Sequence, residues 1–267
     1  MRKYLSFFRL RLSTGLQYRA AAFGGVMTQF AWGFARILMF SAFYRSNPAA
    51  IPMPLDRLST YIWLQQGLLA MLTVWMFDGQ SFSDIESGNV AYELCRPLDI
   101  YSMWFVRDAT KRLSQVFLRC IPLFAVSIFL PKPYNLSAPE SLSAALLFLP
   151  SLFCGFLLVV SFGMLIYAAA FHMLNPTGIR IFAVAVSEFL AGGIIPLALL
   201  PDNMRLVVEL LPFASIQNMP FMIYVGEYAG IEAVLGVLLQ LFWLILFVAL
   251  GRGLIGRALK RVVVQGG

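Results

Sequence analysis

Apolar runs of about 18 residues or more recur along this chain of 267 residues, and no other feature constrains its fold as much. Each such run, wound as an α-helix rising about 1.5 Å per residue, is long enough to cross a hydrocarbon layer of roughly 30 Å. The charge content settles which kind of burial these runs seek. Only 12% of the residues are charged and 60% are hydrophobic, whereas soluble domains carry about 25% charged residues. A soluble core would need a charged surface around it, and the chain does not supply one. The expectation is therefore an all-α, polytopic membrane protein. The net charge of +7 is better read as basic residues flanking spans than as a nucleic-acid surface.

Taken in order, residues 1–19 predict a basic helix lying in the membrane interface. Leu5, Phe8, Leu12 and Leu16 fall on one helical face, and Arg2, Ser6, Arg9 and Ser13 on another. The arginines continue through Arg9, Arg11 and Arg19, and no cleavable apolar core follows Arg2 and Lys3, so a signal peptide is not expected. Six spans are predicted at 20–44, 60–77, 104–130, 144–171, 179–200 and 233–250. Prolines 48, 52 and 54 mark the first loop, and Pro131, Pro133 and Pro139 the third. A tight turn is expected at Asn175-Pro176-Thr177-Gly178. Span five is interrupted by Gly192, Gly193 and Pro196, where a bend is expected. The segment 201–231 is broken by Pro201, Pro212 and Pro220 into pieces too short to cross, Leu206–Leu211 and Met219–Tyr224. It predicts re-entrant or interfacial helices forming an outer gate.

Six spans place both termini on one side, and the basic residues say which. Fifteen fall on that side: Arg2, Lys3, Arg9, Arg11 and Arg19; Arg96, Arg107, Lys111, Arg112 and Arg119; Arg180; and Arg252, Arg257, Lys260 and Arg261. Four fall opposite: Arg45, Arg57, Lys132 and Arg205. The bias puts both termini and 78–103 in the cytoplasm. Cys95, Cys120 and Cys154 show neither paired spacing nor a metal motif, so reduced thiols are expected. His172, the single histidine, is read as interfacial, and no multi-histidine centre can form.

Between spans two and three lies the main polar stretch, 82–98, read as a helix broken at Gly88. Phe82, Ile85, Tyr92, Leu94 and Cys95 supply apolar contacts. Asp84, Glu86 and Glu93 supply acid, and Glu86 and Glu93, seven apart, would share a face of a continuous helix. Arg96-Pro97 ends it, because the residue before a proline avoids the α region. An acidic, exposed side opposite an apolar, membrane-packed side suits a partner's groove. An ordinary solvated loop reads equally well from spacing alone.

Two charges sit inside predicted spans, where each costs about 2.5–3.5 kcal/mol. Arg36 lies roughly 25 Å along its helix from Arg19, so it either snorkels to the outer headgroups or lines a route. Glu188 lies about nine residues into span five and must face protein or an aqueous cavity, as a pathway residue or a structural hydrogen-bonding group.

The run from Asp84 to Leu113, DIESGNVAYELCRPLDIYSMWFVRDATKRL, resembles the segment after the second span in permease subunits of type-2 ABC exporters. The matching positions are Ile85, Glu86, Gly88, Leu94, Arg96, Pro97 and Leu98. Gly88-Asn89-Val90 departs from that family's acidic-Gly-Thr-acidic order. The six-span layout, the N-terminal helix, the broken segment after span five and the basic tail GRALKRVVVQGG are also similar, most of all to the daunorubicin-resistance-like branch. The resemblance implies a permease subunit in the inner membrane of a bacterium, paired with a second permease chain, identical or sister. It implies a separate ATPase that binds ATP and magnesium and contacts the coupling helix at Asp84, Glu86, Gly88, Glu93 and Arg96 and the N-terminal helix at Leu5, Phe8 and Leu12. It further implies that span five, with Glu188, Gly192, Gly193 and Pro196, lines the route or its gate, for which Arg36 of span one is a further candidate. The chain carries no G-x-x-x-x-G-K-[ST] loop of its own. Two other readings remain: a proton- or cation-coupled carrier using Glu188, and an intramembrane enzyme, which the lack of paired carboxylates and clustered histidines disfavours.

Overall fold

The computed structural model describes residues 2–17, 19–46, 52–173 and 175–260. Pro48 of the first loop and Arg261 of the basic tail lie outside them. Among the described residues the regular elements are all helices, joined by turns and loops. Three helices, α1 (Arg2–Gly15), α2 (Arg19–Ser46) and α3 (Leu55–Gly67), precede the short α4 (Leu69–Leu72), α5 (Gly79–Glu86) and α6 (Val90–Leu94). The long α7 (Ile100–Ile128) and α8 (Leu142–Ala170) follow. Then come α9 (Thr177–Leu190), α10 (Asp202–Leu210), α11 (Ala214–Tyr224) and α12 (Gly230–Leu259).

Side-chain caps start the helices that frame the polar stretch. Asp78 accepts from the Ser81 N–H at the head of α5, Asp99 from the Ser102 N–H at 2.9 Å at the head of α7, and Ser141 from the Ala144 N–H at the head of α8. Each cap satisfies a backbone donor that the helix itself leaves open. Helix α8 is the central post. Leu158, Val159, Val160 and Met164 are fully buried on it, with α11 and α12 packed alongside. Truncating one of these side chains to alanine would cost about 2–5 kcal/mol, through lost packing and the cavity left behind. Trp63 of α3 is wedged against α2, with the Phe30 and Phe34 rings at 5.7 and 5.2 Å, and Gly33 gives it room.

By length and apolar content, three helical stretches among the described residues can cross a membrane: Phe23–Ser46 within α2, all of α8 and all of α12. The pair α10 and α11, bent by 113°, would be a fourth if counted as one broken span. Of the six predicted spans, span two is revised, and the interruption expected in span five is seen at its glycines. Span two is not one helix over 60–77: α3 stops at Gly67, α4 adds a single turn, and residues 73–78 are not helical. Span five ends as a helix at Leu190, and the chain leaves through a turn with Gly192 at φ +80°. With 14 residues, α9 reaches only about 21 Å. Helix α7 is long enough at 29 residues but carries Arg107, Asp108, Lys111, Arg112 and Arg119 along its first two thirds. Helix α12 outruns the predicted 233–250, and its 30 residues, about 45 Å, carry Arg252 and Arg257 beyond the apolar length.

Candidate functional site

The polar stretch forms two short helices hinged at Gly88, whose φ of +74° lies in the left-handed region that a Cβ disfavours. The acidic side is not exposed as the spacing suggested. Asp84 and Glu93 are 7% and 8% exposed, because both turn inward to a guanidinium from α7. Arg107, 4% exposed, pairs with Glu93 through Nη2, lies 3.4 Å from Asp84 through Nη1 and 3.7 Å from Asp78. Trp104 donates its indole N–H to the other oxygen of Glu93. The hinge at Gly88 also breaks the helical register, so Glu86 and Glu93 do not share a face. What faces outward is Glu86, Tyr92, Leu94, Cys95 and Arg96. A largely buried cation with three carboxylates around it ties α5 and α6 to α7, since separating a buried charge from its partners is costly.

On α1, Tyr4 and Phe7 pack toward the core, Leu5 is exposed, and Phe8 and Leu12 are half-buried. The Tyr4 hydroxyl accepts from the Asp99 N–H at 3.1 Å, which ties α1 to the start of α7. At the other end of α1, Gly15 lies against Ser114, so close that a Cβ there would overlap the Ser114 hydroxyl.

From α5 the chain runs back to α4 through residues 73–78, and this short segment is held on both sides. Lys111 donates to the Phe77 carbonyl at 2.6 Å, and Arg112 donates to the Thr73 carbonyl at 2.5 Å. Arg112 is itself paired with Asp108 at 2.7 Å, both fully buried. These two donors satisfy carbonyls that the broken span two leaves open, and so make the break tolerable in an apolar setting. On the opposite side the Thr73 hydroxyl donates to Glu188 of α9 at 2.5 Å, and the Val74 N–H approaches the same oxygen at 3.4 Å. Glu188 is half-buried. A Cβ on Gly193 would strike its carboxylate, so glycine at 193 is what allows the acid to sit there.

The turn after α9 is bound in the same manner. Gln65 donates to the Gly192 carbonyl at 3.1 Å, and Arg36 binds both Gln65 and the Ile194 carbonyl, the latter at 2.9 Å. Arg36 thus turns toward the protein rather than snorkelling. The fully buried Tyr61 hydroxyl stands beside Gly192 and donates to Asn218 of α11 at 3.0 Å. Pro196 introduces the short 3-10 turn Leu197–Leu199. Next to this turn, between α2 and Ile194, opens a largely apolar cavity of about 840 Å³, walled by Trp32, Met39, Phe40 and Phe43, with Arg36 the one charge among the described residues that line it.

The structure therefore brings Arg36, Glu188, Gly192 and Gly193 into one polar seat and places Asp84, Glu86, Gly88, Glu93 and Arg96 at a separate lever. Sequence reasoning missed the residues that join them: Arg107, Asp108, Arg112, Thr73 and Gln65. A signal was present, since Asp108 and Arg112 stand four apart on one helix inside an otherwise apolar run. Cys95 is exposed, Cys120 half-buried and Cys154 buried, all three free thiols. His172 is exposed at the end of α8.

An ion-paired helix pair at 79–94 is thus joined by hydrogen bonds, through residues 73–78, to the broken helix that ends at Leu190. The family described as ABC-2 family transporter protein matches residues 30–266, and the chain belongs to that family: it is a multi-pass membrane permease subunit of an ABC transporter. The match identifies the family and not the daunorubicin-resistance-like branch, and α1 precedes the matched range. Proteins of this family work with an ABC ATPase partner. No curated protein matches the chain.

Proposed function

We infer that the chain is the membrane half of an ATP-driven exporter, with both termini in the cytoplasm of a bacterial cell and a second permease chain beside it. A separate ATPase, which holds ATP and magnesium, engages the outward side of the lever at Glu86, Tyr92, Leu94, Cys95 and Arg96, together with Leu5, Phe8 and Leu12 of α1. Gly88 sets the angle between the two arms of the lever. Asp84 and Glu93 serve as its anchors on α7. Movement of the lever then passes through residues 73–78 to Glu188, and from there to the turn at Gly192, Gly193 and Pro196, which flanks the cavity beside Arg36.

The observation that carries this reading is the double hold on Thr73, whose carbonyl is taken by Arg112 and whose hydroxyl is given to Glu188. A displacement of α5 cannot occur without loading one of these bonds. An apolar cavity with one guanidinium at its wall suits an amphipathic cargo with a carbonyl or acidic group. The 15-to-4 asymmetry of basic residues supports the orientation. The family favours ATP-driven transport over a proton-coupled carrier, and the Glu188 carboxylate accepts a hydrogen bond from the Thr73 hydroxyl.

The experiment is a mild-detergent capture of the tagged chain from its own cells, comparing the natural protein with Glu86→Lys combined with Arg96→Glu. Both residues are exposed, so the variant is expected to insert and fold normally. A partner carrying a Walker-type loop should be captured in stoichiometric amount by the natural protein and lost from the variant. Equal capture by both would overturn the assignment of the lever as the docking element.

A further inference from the structure

A second cavity, of about 350 Å³, lies between α1 and α7, away from the polar seat. Its charged walls are Arg11 of α1, Arg107, Lys111 and Arg119 of α7, and Asp78. Asp78 is already engaged: it caps α5 through the Ser81 N–H and hydroxyl, and lies 3.7 Å from Arg107. Among the described residues, no carboxylate pairs with Arg11, Lys111 or Arg119. Three uncompensated cations therefore face one hollow. Donors are also left idle around it. The Nε of Arg107, on a side chain that is 4% exposed, has no partner, and neither has the Nε of Arg119. Arg119 is held in place against Gly25 of α2, where any larger residue would displace its guanidinium. The close approach of Gly15 to Ser114 packs α1 firmly against α7 at this wall.

Like charges gathered on one hollow repel unless an anion lies between them, and the unpaired donor of the buried Arg107 costs free energy. Guanidinium groups match the oxygens of a phosphate through paired, charge-assisted hydrogen bonds, and basic pockets between membrane helices hold lipid headgroups in this way. We propose that the cavity between α1 and α7 is a binding site for a phosphate group, closed by Arg11, Lys111 and Arg119 with the free Nε of Arg107, and that its occupant fastens the N-terminal helix to the bundle. The site stands independently of any ATPase. The phosphate can belong to an anionic lipid or be free in solution, and the two sources are separable.

Purified full-length protein in a neutral micelle is titrated with short-chain phosphatidylglycerol and, separately, with inorganic phosphate, and each dissociation constant is read by native mass spectrometry or thermophoresis. Saturable binding of at least one probe is expected. Tighter binding of the lipid assigns a headgroup, and equal or tighter binding of inorganic phosphate assigns a free anion. Arg119→Gln and Arg11→Gln should each weaken binding about fivefold, and together roughly 25-fold. Arg257→Gln, which removes the same charge from an exposed position on α12, should leave it unchanged. If Arg119→Gln does not fold, Arg11→Gln alone decides, because Arg11 is exposed and its one ring contact, over Phe7, lies on its own helix. Absence of saturable binding for both probes would overturn the proposal, as would an equal loss with Arg257→Gln.

Discussion

Replacing Arg107 with methionine keeps most of the side-chain volume and removes the charge, which makes it the sharpest test of how the lever is held. The residue is 4% exposed and has Glu93, Asp84 and Asp78 around it. Without the guanidinium, Glu93 keeps only the indole of Trp104, and three carboxylates are left facing one another. Breaking a buried pair from one side costs about 3–5 kcal/mol. Glu93→Gln should cost less, about 1.5–3 kcal/mol, because Arg107 retains the two aspartates and only a charge-assisted bond is lost. The double variant Arg107→Met with Glu93→Gln removes one orphaned charge along with its partner, so it should recover more than about 1 kcal/mol relative to Arg107→Met. Glu86→Gln, at an exposed position, should change nothing measurable. The assay is hydrogen exchange over residues 79–94 in the purified protein, with a denaturant titration in mixed micelles for the overall stability. Exchange should accelerate in the order Glu86→Gln, Glu93→Gln, Arg107→Met. If Arg107→Met exchanged no faster than Glu86→Gln, the ion cluster would not be what fixes α5 and α6 to α7, and the transmission scheme built on it would fail.

Two further substitutions test other parts of the frame. Gly88→Ala meets no atom within 4 Å, so its cost comes from the backbone alone, about 1–2 kcal/mol for a Cβ in the left-handed region; Gly88→Asn should cost less, with both read as faster exchange at Val90–Leu94. Gln240 of α12 is fully buried and bridges two neighbours, donating to the Ser215 carbonyl at 2.8 Å and the Ser151 carbonyl at 3.1 Å. Gln240→Leu should lower stability by about 1 kcal/mol in a detergent melt, the usual worth of such an interhelical bond.

What the sequence disclosed and what it hid divide along physical lines. Helices α8 and α12 were legible because their apolar runs are unbroken, and the end of α9 because Gly192, Gly193 and Pro196 announce it. The break in span two was missed although Gly67 stands at it, since the surrounding residues remain apolar and the turn is stabilised by Arg112 from a distant helix. The polar stretch at 82–98 stood out by its polarity, yet its inward side was misjudged. An acidic residue at a helical period looks solvent-facing until a cation 14 residues further on is folded against it. Gln65 and Thr73 gave no signal at all, because an isolated amide or hydroxyl in an apolar run is ordinary until its partner is known.

The distances along the chain at which these bonds close also set an order of assembly. Arg107 meets Glu93 across 14 residues and Asp84 across 23, and Arg112 reaches the Thr73 carbonyl across 39. All of them can form as soon as α7 has been synthesised. The bond from Thr73 to Glu188 spans 115 residues, and that from Arg36 to Ile194 spans 158. A nascent chain can therefore close the contacts of α5 and α6 with α7 early, at low entropic cost, whereas the bonds that join them to the turn after α9 must wait until that turn has been made.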